Sequence, residues 1–290
     1  MAENIHPTPL IIHVPSSDFP SDVLKWMKKD AKGKILYKLM KSNKYFQHSE
    51  FPFFAVKFVE YDAWWDNKWI IYTLDGHRLE GLGDTEEVLW ITETLRLTEL
   101  PNLVSRIISA TAVFDLKELL FEHQELMFDE FKILTASGNI KCLSFQGTNV
   151  KHENGDPVFI DELFEFLSNV QDIWIANFGT ILFSSNFVNT CKKYNFSQLK
   201  SFNLINLTFY DDFQKFTKFM NQNPHVYYQI YFDDDALSEE EKFAVGKYVQ
   251  GIIDVGLTEF RTPTIQFFGQ THDQHEALCS LRSQYDDKQT

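Results

Sequence analysis

Leu116-x-x-Leu119-x-Phe121, Ile140-x-x-Leu143-x-Phe145, Val170-x-x-Ile173-x-Ile175 and Leu199-x-x-Phe202-x-Leu204 are four copies of one apolar template. A degenerate copy precedes them at Thr92-x-x-Leu95-x-Leu97, and another follows at Tyr227-x-x-Ile230-x-Phe232. Between the middle apolar positions the steps are 24, 24, 30, 29 and 28 residues, a spacing that marks an internal repeat. Within each copy the apolar letters alternate with polar ones, as in a strand with one buried face. Between copies lie stretches of helical period: Leu103 to Ala110, Phe128 to Leu134, Phe159 to Leu167, Phe187 to Tyr194, Phe213 to Met220 and Phe243 to Ile253. Each unit therefore reads strand, turn, helix. Strands joined in one sense by helices form a parallel sheet, and at this short period the sheet is expected to curve into a solenoid with the helices outside.

Strand alternation also names the face left to a ligand. With the apolar letters turned inward, Thr94, Arg96 and Thr98 face the inner curve, with Glu118, Leu120 and Glu122, then Cys142, Ser144 and Gln146. Asp172, Trp174 and Ala176 follow, then Ser201, Asn203 and Ile205, and finally Gln229, Tyr231 and Asp233. The residues expected to bind a substrate are Arg96, Glu118, Leu120, Glu122, Gln146, Asp172, Trp174, Asn203, Ile205 and Tyr231. Trp174, an aromatic ring among polar neighbours, has the character of a binding hot spot. The other reading puts Trp174 beneath a neighbouring loop, and a slip of one residue in the frame would invert every assignment.

Composition narrows the class of partner. The 290 residues carry 27 Lys and Arg against 41 Asp and Glu, a net charge of −14 that repels phosphate backbones and anionic lipid and attracts a basic partner. Neither nucleic acid nor membrane is expected as a ligand. The 28 Phe, 6 Trp and 11 Tyr supply the apolar area for a large core. Cys142, Cys191 and Cys279 are too few and too far apart for a disulfide framework or a metal clip, which fits a reducing compartment, cytoplasmic or nuclear. The apolar patch Leu10 to Val14, broken by His13, is too short for a signal-peptide core, and no run approaches a membrane span.

Three zones follow along the chain. Residues 16–50 read as short helices: Pro20, Ser21 and Asp22 give start signals ahead of Val23, Leu24 and Met27, Gly33 interrupts, and Ile35, Leu36, Leu39 and Met40 share a second face. Residues 51–84 turn to strand character, with Ala55 to Tyr61 and Lys68 to Thr73 flanking a turn at Asp66-Asn67, a β-rich joint. Residues 85–283 hold the repeats, and the polar tail beyond Gln284 is expected to fray.

The repeats resemble divergent leucine-rich repeats of the intracellular strand-plus-helix kind over residues 88 to 235. They depart from that family where its buried Asn or Cys should stand, which here is His123 or Gln124, Gly147 or Thr148, Asn177 or Phe178, and Asn206 or Leu207. The N-terminal zone resembles an F-box. Phe19-Pro20-Ser21-Asp22-Val23-Leu24 stands where the family has its Leu-Pro opening, Leu36, Leu39 and Met40 fit the second helix, and Ser42 to Phe46 stands at the basic and aromatic end. The order of parts and the Phe-rich style are similar to the expanded F-box families of nematodes. The resemblance implies a substrate-recognition adaptor of a Skp/cullin/F-box ubiquitin ligase. Phe19, Pro20, Val23, Leu24, Met27, Leu36, Leu39 and Phe46 would hold a Skp-type linker protein, and through it the cullin scaffold. The repeats would hold an unknown protein substrate. Without the family, the same residues read as an N-terminal helical cap on the first repeat, which a solenoid needs, and the whole as a protein-binding scaffold with no ubiquitin role.

Motifs for chemistry are sparse. Gly81-Leu82-Gly83 lacks the Lys and Ser or Thr of a phosphate loop. His272-x-x-His275 with Asp273 offers ligand types for zinc but no fourth partner, and His152 to Asp156 reads as a turn around Gly155. A Rossmann-type enzyme would need a Gly-rich turn after its first strand, and none is present. The expectation is a non-enzymatic α/β protein without cofactor or metal.

Overall fold

The structure, a computed structural model, describes residues 35, 38–39, 53–63, 67–82, 88–100, 102–176 and 181–289. Strands form at the quoted copies: β4 (Leu89–Thr98), β6 (Glu118–Glu122), β8 (Cys142–Gln146), β10 (Asp172–Ala176), β11 (Ser201–Leu207) and β12 (Tyr227–Phe232). They pair in parallel in that order, and β13 (Thr264–Gln266) adds to β12. At the other edge β1 (Phe54–Asp62) pairs in parallel with β4, and β2 (Lys68–Thr73) and β3 (Arg78–Glu80) continue antiparallel. The stretch read as a joint thus supplies three strands of the same eleven-stranded sheet, whose remaining member, β5 (Thr111–Phe114), pairs with the first half of β4. A small second sheet pairs β7 (Glu125–Met127) with β9 (Asn149–Lys151).

Register explains why the template works. Leu95, Leu119, Leu143, Ile173, Phe202 and Tyr228 form one inward row across the sheet, and Leu97, Phe121, Phe145, Ile175, Leu204, Ile230 and Ile265 the next. Every one of these side chains is buried. The sixth copy is corrected here: Tyr228, not Ile230, stands opposite Phe202, so the last unit is 26 residues long rather than 28. The shift is two residues and keeps the side of the sheet, because side chains alternate with period two.

Among the described residues, α1 (Leu103–Ser109), α2 (Phe128–Thr135), α3 (Ile160–Leu163, extended by a short 3-10 turn), α4 (Phe187–Cys191), α5 (Tyr210–Gln222) and α6 (Glu239–Val255) cover the inward side, and α7 (His272–Gln289) runs along α6 at the β13 edge. Phenylalanine does the packing. Phe131 of α2 meets Phe145 of β8 edge-on at 6.2 Å, and Phe216 of α5 meets Phe202 of β11 at 4.8 Å. Edge-to-face contacts of this kind add to plain area burial. Helix starts are set chemically: Ser238 Oγ accepts from the Glu241 amide, while the Glu241 carboxylate accepts from the Ser238 amide at 2.8 Å. The tail differs from expectation, since α7 runs to Gln289. Arg261 binds Asp286 at 2.8 Å, Arg282 donates to Thr264 Oγ1, and Gln274 donates to the Gly246 carbonyl at 3.1 Å, so three side-chain bonds hold the helix along α6 and β13.

β4, β6 and β8 end alike, and β11 makes the same bend just before its last residue. Glu99, His123, Gly147 and Asn206, two residues past the last inward side chain, have φ of 60°, 52°, 59° and 55°. The amides of Glu99, His123 and Gly147 donate to carbonyls of the next strand, at Glu122, Gln146 and Ala176. These left-handed residues occupy the place where the Asn or Cys of the repeat family was sought. The neighbouring Gln124 is 1% exposed, donates to the Glu122 carbonyl, and its amide donates to Thr148 Oγ1 at 3.2 Å.

The loop before α4 is held from both sides. Asp161, at the start of α3, accepts from the Ser184 amide at 3.0 Å and its hydroxyl at 2.7 Å. Asp212, at the start of α5, accepts from the Leu182 and Phe183 amides at 2.8 and 3.2 Å. Both carboxylates are buried. Among the described residues, no helix is long and apolar enough to cross a membrane.

Candidate functional site

On the second side of the sheet, residues align in rows set by strand register. The central row runs Glu60, Arg96, Leu120, Ser144, Trp174, Asn203, Gln229 and Thr264. Toward the strand starts run Thr94, Glu118, Cys142, Asp172, Ser201 and Tyr227, and toward the ends Thr98, Glu122, Gln146, Ala176 and Ile205.

On the β4 side the face is charged and internally paired. Arg96 spans Glu60 at 3.4 Å and Glu122 at 3.3 Å, while Thr94 donates to Glu118 at 2.9 Å and Ser201 to Asp172 at 2.7 Å. Cys142 stands between Glu118 and Asp172 in the row. Burial first, and then those two carboxylates, push its thiol up to about 11, so the thiol is protonated and a poor nucleophile at neutral pH.

On the β12 side the face becomes apolar and concave. Trp174, Ile205 and Tyr231, expected from sequence, line one groove of about 620 Å³ together with Gln229, Gln266 and Phe268. Trp174 is 38% exposed and Phe268 63%. Among the described residues that line the groove, Asp234 carries the sole charge, and Asp233 and Asp235 beside it are exposed. The groove thus offers aromatic and aliphatic surface, amide groups for hydrogen bonding and an acidic rim, the chemistry of recognition.

The structure does not gather all of the expected substrate residues. Arg96, Glu118, Leu120, Glu122, Gln146 and Asp172 lie on the same side of the sheet but outside the groove. Asn203 is 7% exposed, its short side chain standing between the longer Trp174 and Gln229, and its Oδ1 finds no partner among the described residues. Phe268 was missed by sequence reasoning because it follows β13 in a turn, where no periodicity marks it. Of the residues expected to hold a linker protein, Leu39 is helical and half-buried. Phe19, Pro20, Val23, Leu24, Met27, Leu36 and Phe46 lie outside the described residues.

His275 has its Nε2 at 3.7 Å from Cys279 Sγ one turn along α7, and no group of three potential metal ligands occurs among the described residues. Comparison with models of known protein families, with curated proteins and with solved structures finds no match to this chain.

Proposed function

We propose that the chain is a non-enzymatic, protein-binding adaptor of a Skp/cullin/F-box ubiquitin ligase, working in the cytoplasm or nucleus. In this reading the sheet and its helices are a leucine-rich-repeat-like solenoid, and the groove of Trp174, Ile205, Tyr231 and Phe268 grips a basic segment of the target protein. The observation that carries it is the convergence of Trp174, Ile205 and Tyr231, picked from three separate repeats, into one groove with an exposed aromatic centre. Apolar anchors inside a polar rim are where interfaces concentrate their affinity. The acidic run Asp233 to Asp235 and the −14 net charge steer a Lys- or Arg-bearing partner toward it. The recurrent left-handed residue at the strand ends and the side-chain bonds of Gln124 and Thr148 support the repeat reading, since they do at that corner what a buried Asn would do. The linker half of the proposal rests on the F-box-like pattern from Phe19 to Phe46. Through it the Skp-type protein and the cullin scaffold become partners.

Panning a displayed peptide library against the full chain tests the groove. The selected peptides should place an aromatic or branched aliphatic residue beside Lys or Arg, and Trp174→Asp should lose them. Selection of acidic sequences, or equal retention by Trp174→Asp, would refute the assignment of the groove.

A further inference from the structure

A second concavity lies away from the groove, on the helix side. The last turns of α5 and α6, the start of β12 and the loop 256–263 border an open concavity of about 790 Å³, within the range of small-ligand sites. Its walls are apolar and aromatic: Met220, Tyr228, Tyr248, Ile252, Val255 and Phe260. Val255 is left 72% exposed.

Gly251 also faces it. A glycine inside a helix costs about 1 kcal/mol relative to alanine, so its presence calls for a steric reason. Gly246, one and a half turns earlier on α6, has neighbours: a Cβ there would touch the Phe267 ring at 3.7 Å and Gln274 Oε1 at 3.9 Å. A Cβ on Gly251 would meet nothing within 4 Å, and its φ is not in the left-handed region. Nothing in the packing of the described residues needs this glycine. What it provides is depth in the cavity wall.

Charge decides the kind of occupant. Arg261 lines the cavity; its guanidinium is bound to Asp286 at 2.8 Å and lies 4.1 Å from the centre of the Tyr227 ring, while its buried Nε–H has no partner among the described residues. Glu259 lines it too, exposed and without an ion-pair partner among the described residues. Both helices turn their C-terminal ends, the negative poles of their dipoles, to the same space. The rings of Tyr228, Tyr248 and Phe260 add π faces that attract a cation. Apolar walls, the Glu259 carboxylate and the two helix C-termini together suit an ammonium group on an apolar body. We infer that this cavity is a second, separate binding site, for a small amine with an aryl or alkyl body.

Titrating the full chain with 4-phenylbutylamine, and with 4-phenylbutanol and 4-phenylbutyrate as neutral and anionic counterparts, tests it by calorimetry and NMR. The amine should bind at least tenfold tighter than either counterpart, with shifts centred on Tyr248, Gly251 and Phe260. Gly251→Leu, whose Cβ meets nothing within 4 Å and whose side chain takes up cavity space, should weaken the amine at least tenfold while the chain stays folded by circular dichroism, and Glu259→Gln should narrow the gap between amine and alcohol. Absence of amine binding, equal binding by folded Gly251→Leu, a preference for the acid, or shifts centred elsewhere would each overturn the inference.

Discussion

Replacing Asp212 by alanine tests the packing logic of the fold at one atom pair. The carboxylate is 0% exposed and accepts from two backbone amides, Leu182 at 2.8 Å and Phe183 at 3.2 Å. Removing it leaves two buried N–H groups without an acceptor, each worth about 1–3 kcal/mol. Against this stands the cost of burying a charge, which raises the Asp212 pKa above the ordinary aspartate range despite the two amides and Lys215 at 3.9 Å. The net expectation is a loss of about 2–4 kcal/mol, read as a lowered urea midpoint. Hydrogen exchange gives a local readout, because the Leu182 and Phe183 amides should lose protection before those of β4. Asp161→Ala releases Ser184 from the opposite side of the same loop, so the double mutant should deviate from additivity by about 0.5–3 kcal/mol. The raised pKa sets a pH direction as well. Between about 3.9, the ordinary value, and its raised folded value, native Asp212 binds a proton that the unfolded chain does not. Its contribution to stability therefore falls as pH rises through that window. The stability gap between wild type and Asp212→Asn should accordingly be wider at the acid end than at pH 7. A loss under about 0.5 kcal/mol for Asp212→Ala, with amide protection unchanged, would refute the reasoning.

Other outcomes are expected on the same grounds. Trp174→Ala should leave the chain folded, though at a lower Tm because most of the ring is buried, and cost about 2 kcal/mol, roughly 30-fold, in affinity for a library-selected peptide measured by calorimetry. Phe202→Ala removes a fully buried ring that packs on Phe216 at 4.8 Å and Phe219 at 6.0 Å, and should lower stability by about 3–5 kcal/mol in urea unfolding. Cys142, with its thiol pushed up to about 11, should alkylate with iodoacetamide far more slowly at pH 8 than a free thiol; Glu118→Gln, which removes one of the two repelling carboxylates, should speed it. Ser238→Ala should cost about 1 kcal/mol through loss of the helix cap, seen as a lower Tm.

The sheet was legible because the inward rows hold large apolar side chains at period two, from Leu95 to Leu204, with almost no exceptions. Legibility failed where the pattern is satisfied twice. Tyr227 to Phe232 is aromatic or aliphatic at five of six positions, so the template fits in two registers of equal parity, and only pairing with Phe202 and Leu204 decides. Residues 54–62 announce a hairpin with residues 68–73, a local signal. Their parallel pairing with β4 is a long-range contact and leaves no mark in either segment. The groove was partly legible: alternation gives the side of Trp174, Ile205 and Tyr231, but their closeness depends on strand neighbours and on Phe268, which lies in no periodic segment. Asn203 shows the limit of alternation, since pointing to the open side does not secure exposure beside a larger ring. Asp161 and Asp212 are acidic residues near helix starts, a position that fits any exposed first turn; that they clamp a neighbouring loop is a matter of packing.

The adaptor role is tested most directly at the linker protein. Purified Skp-type linker protein should be retained by the immobilised full chain, and Leu24→Asp with Leu39→Asp should abolish retention while circular dichroism and Tm show the sheet intact. Failure of the folded wild-type chain to retain the linker, or unchanged retention by the double variant, would contradict the adaptor.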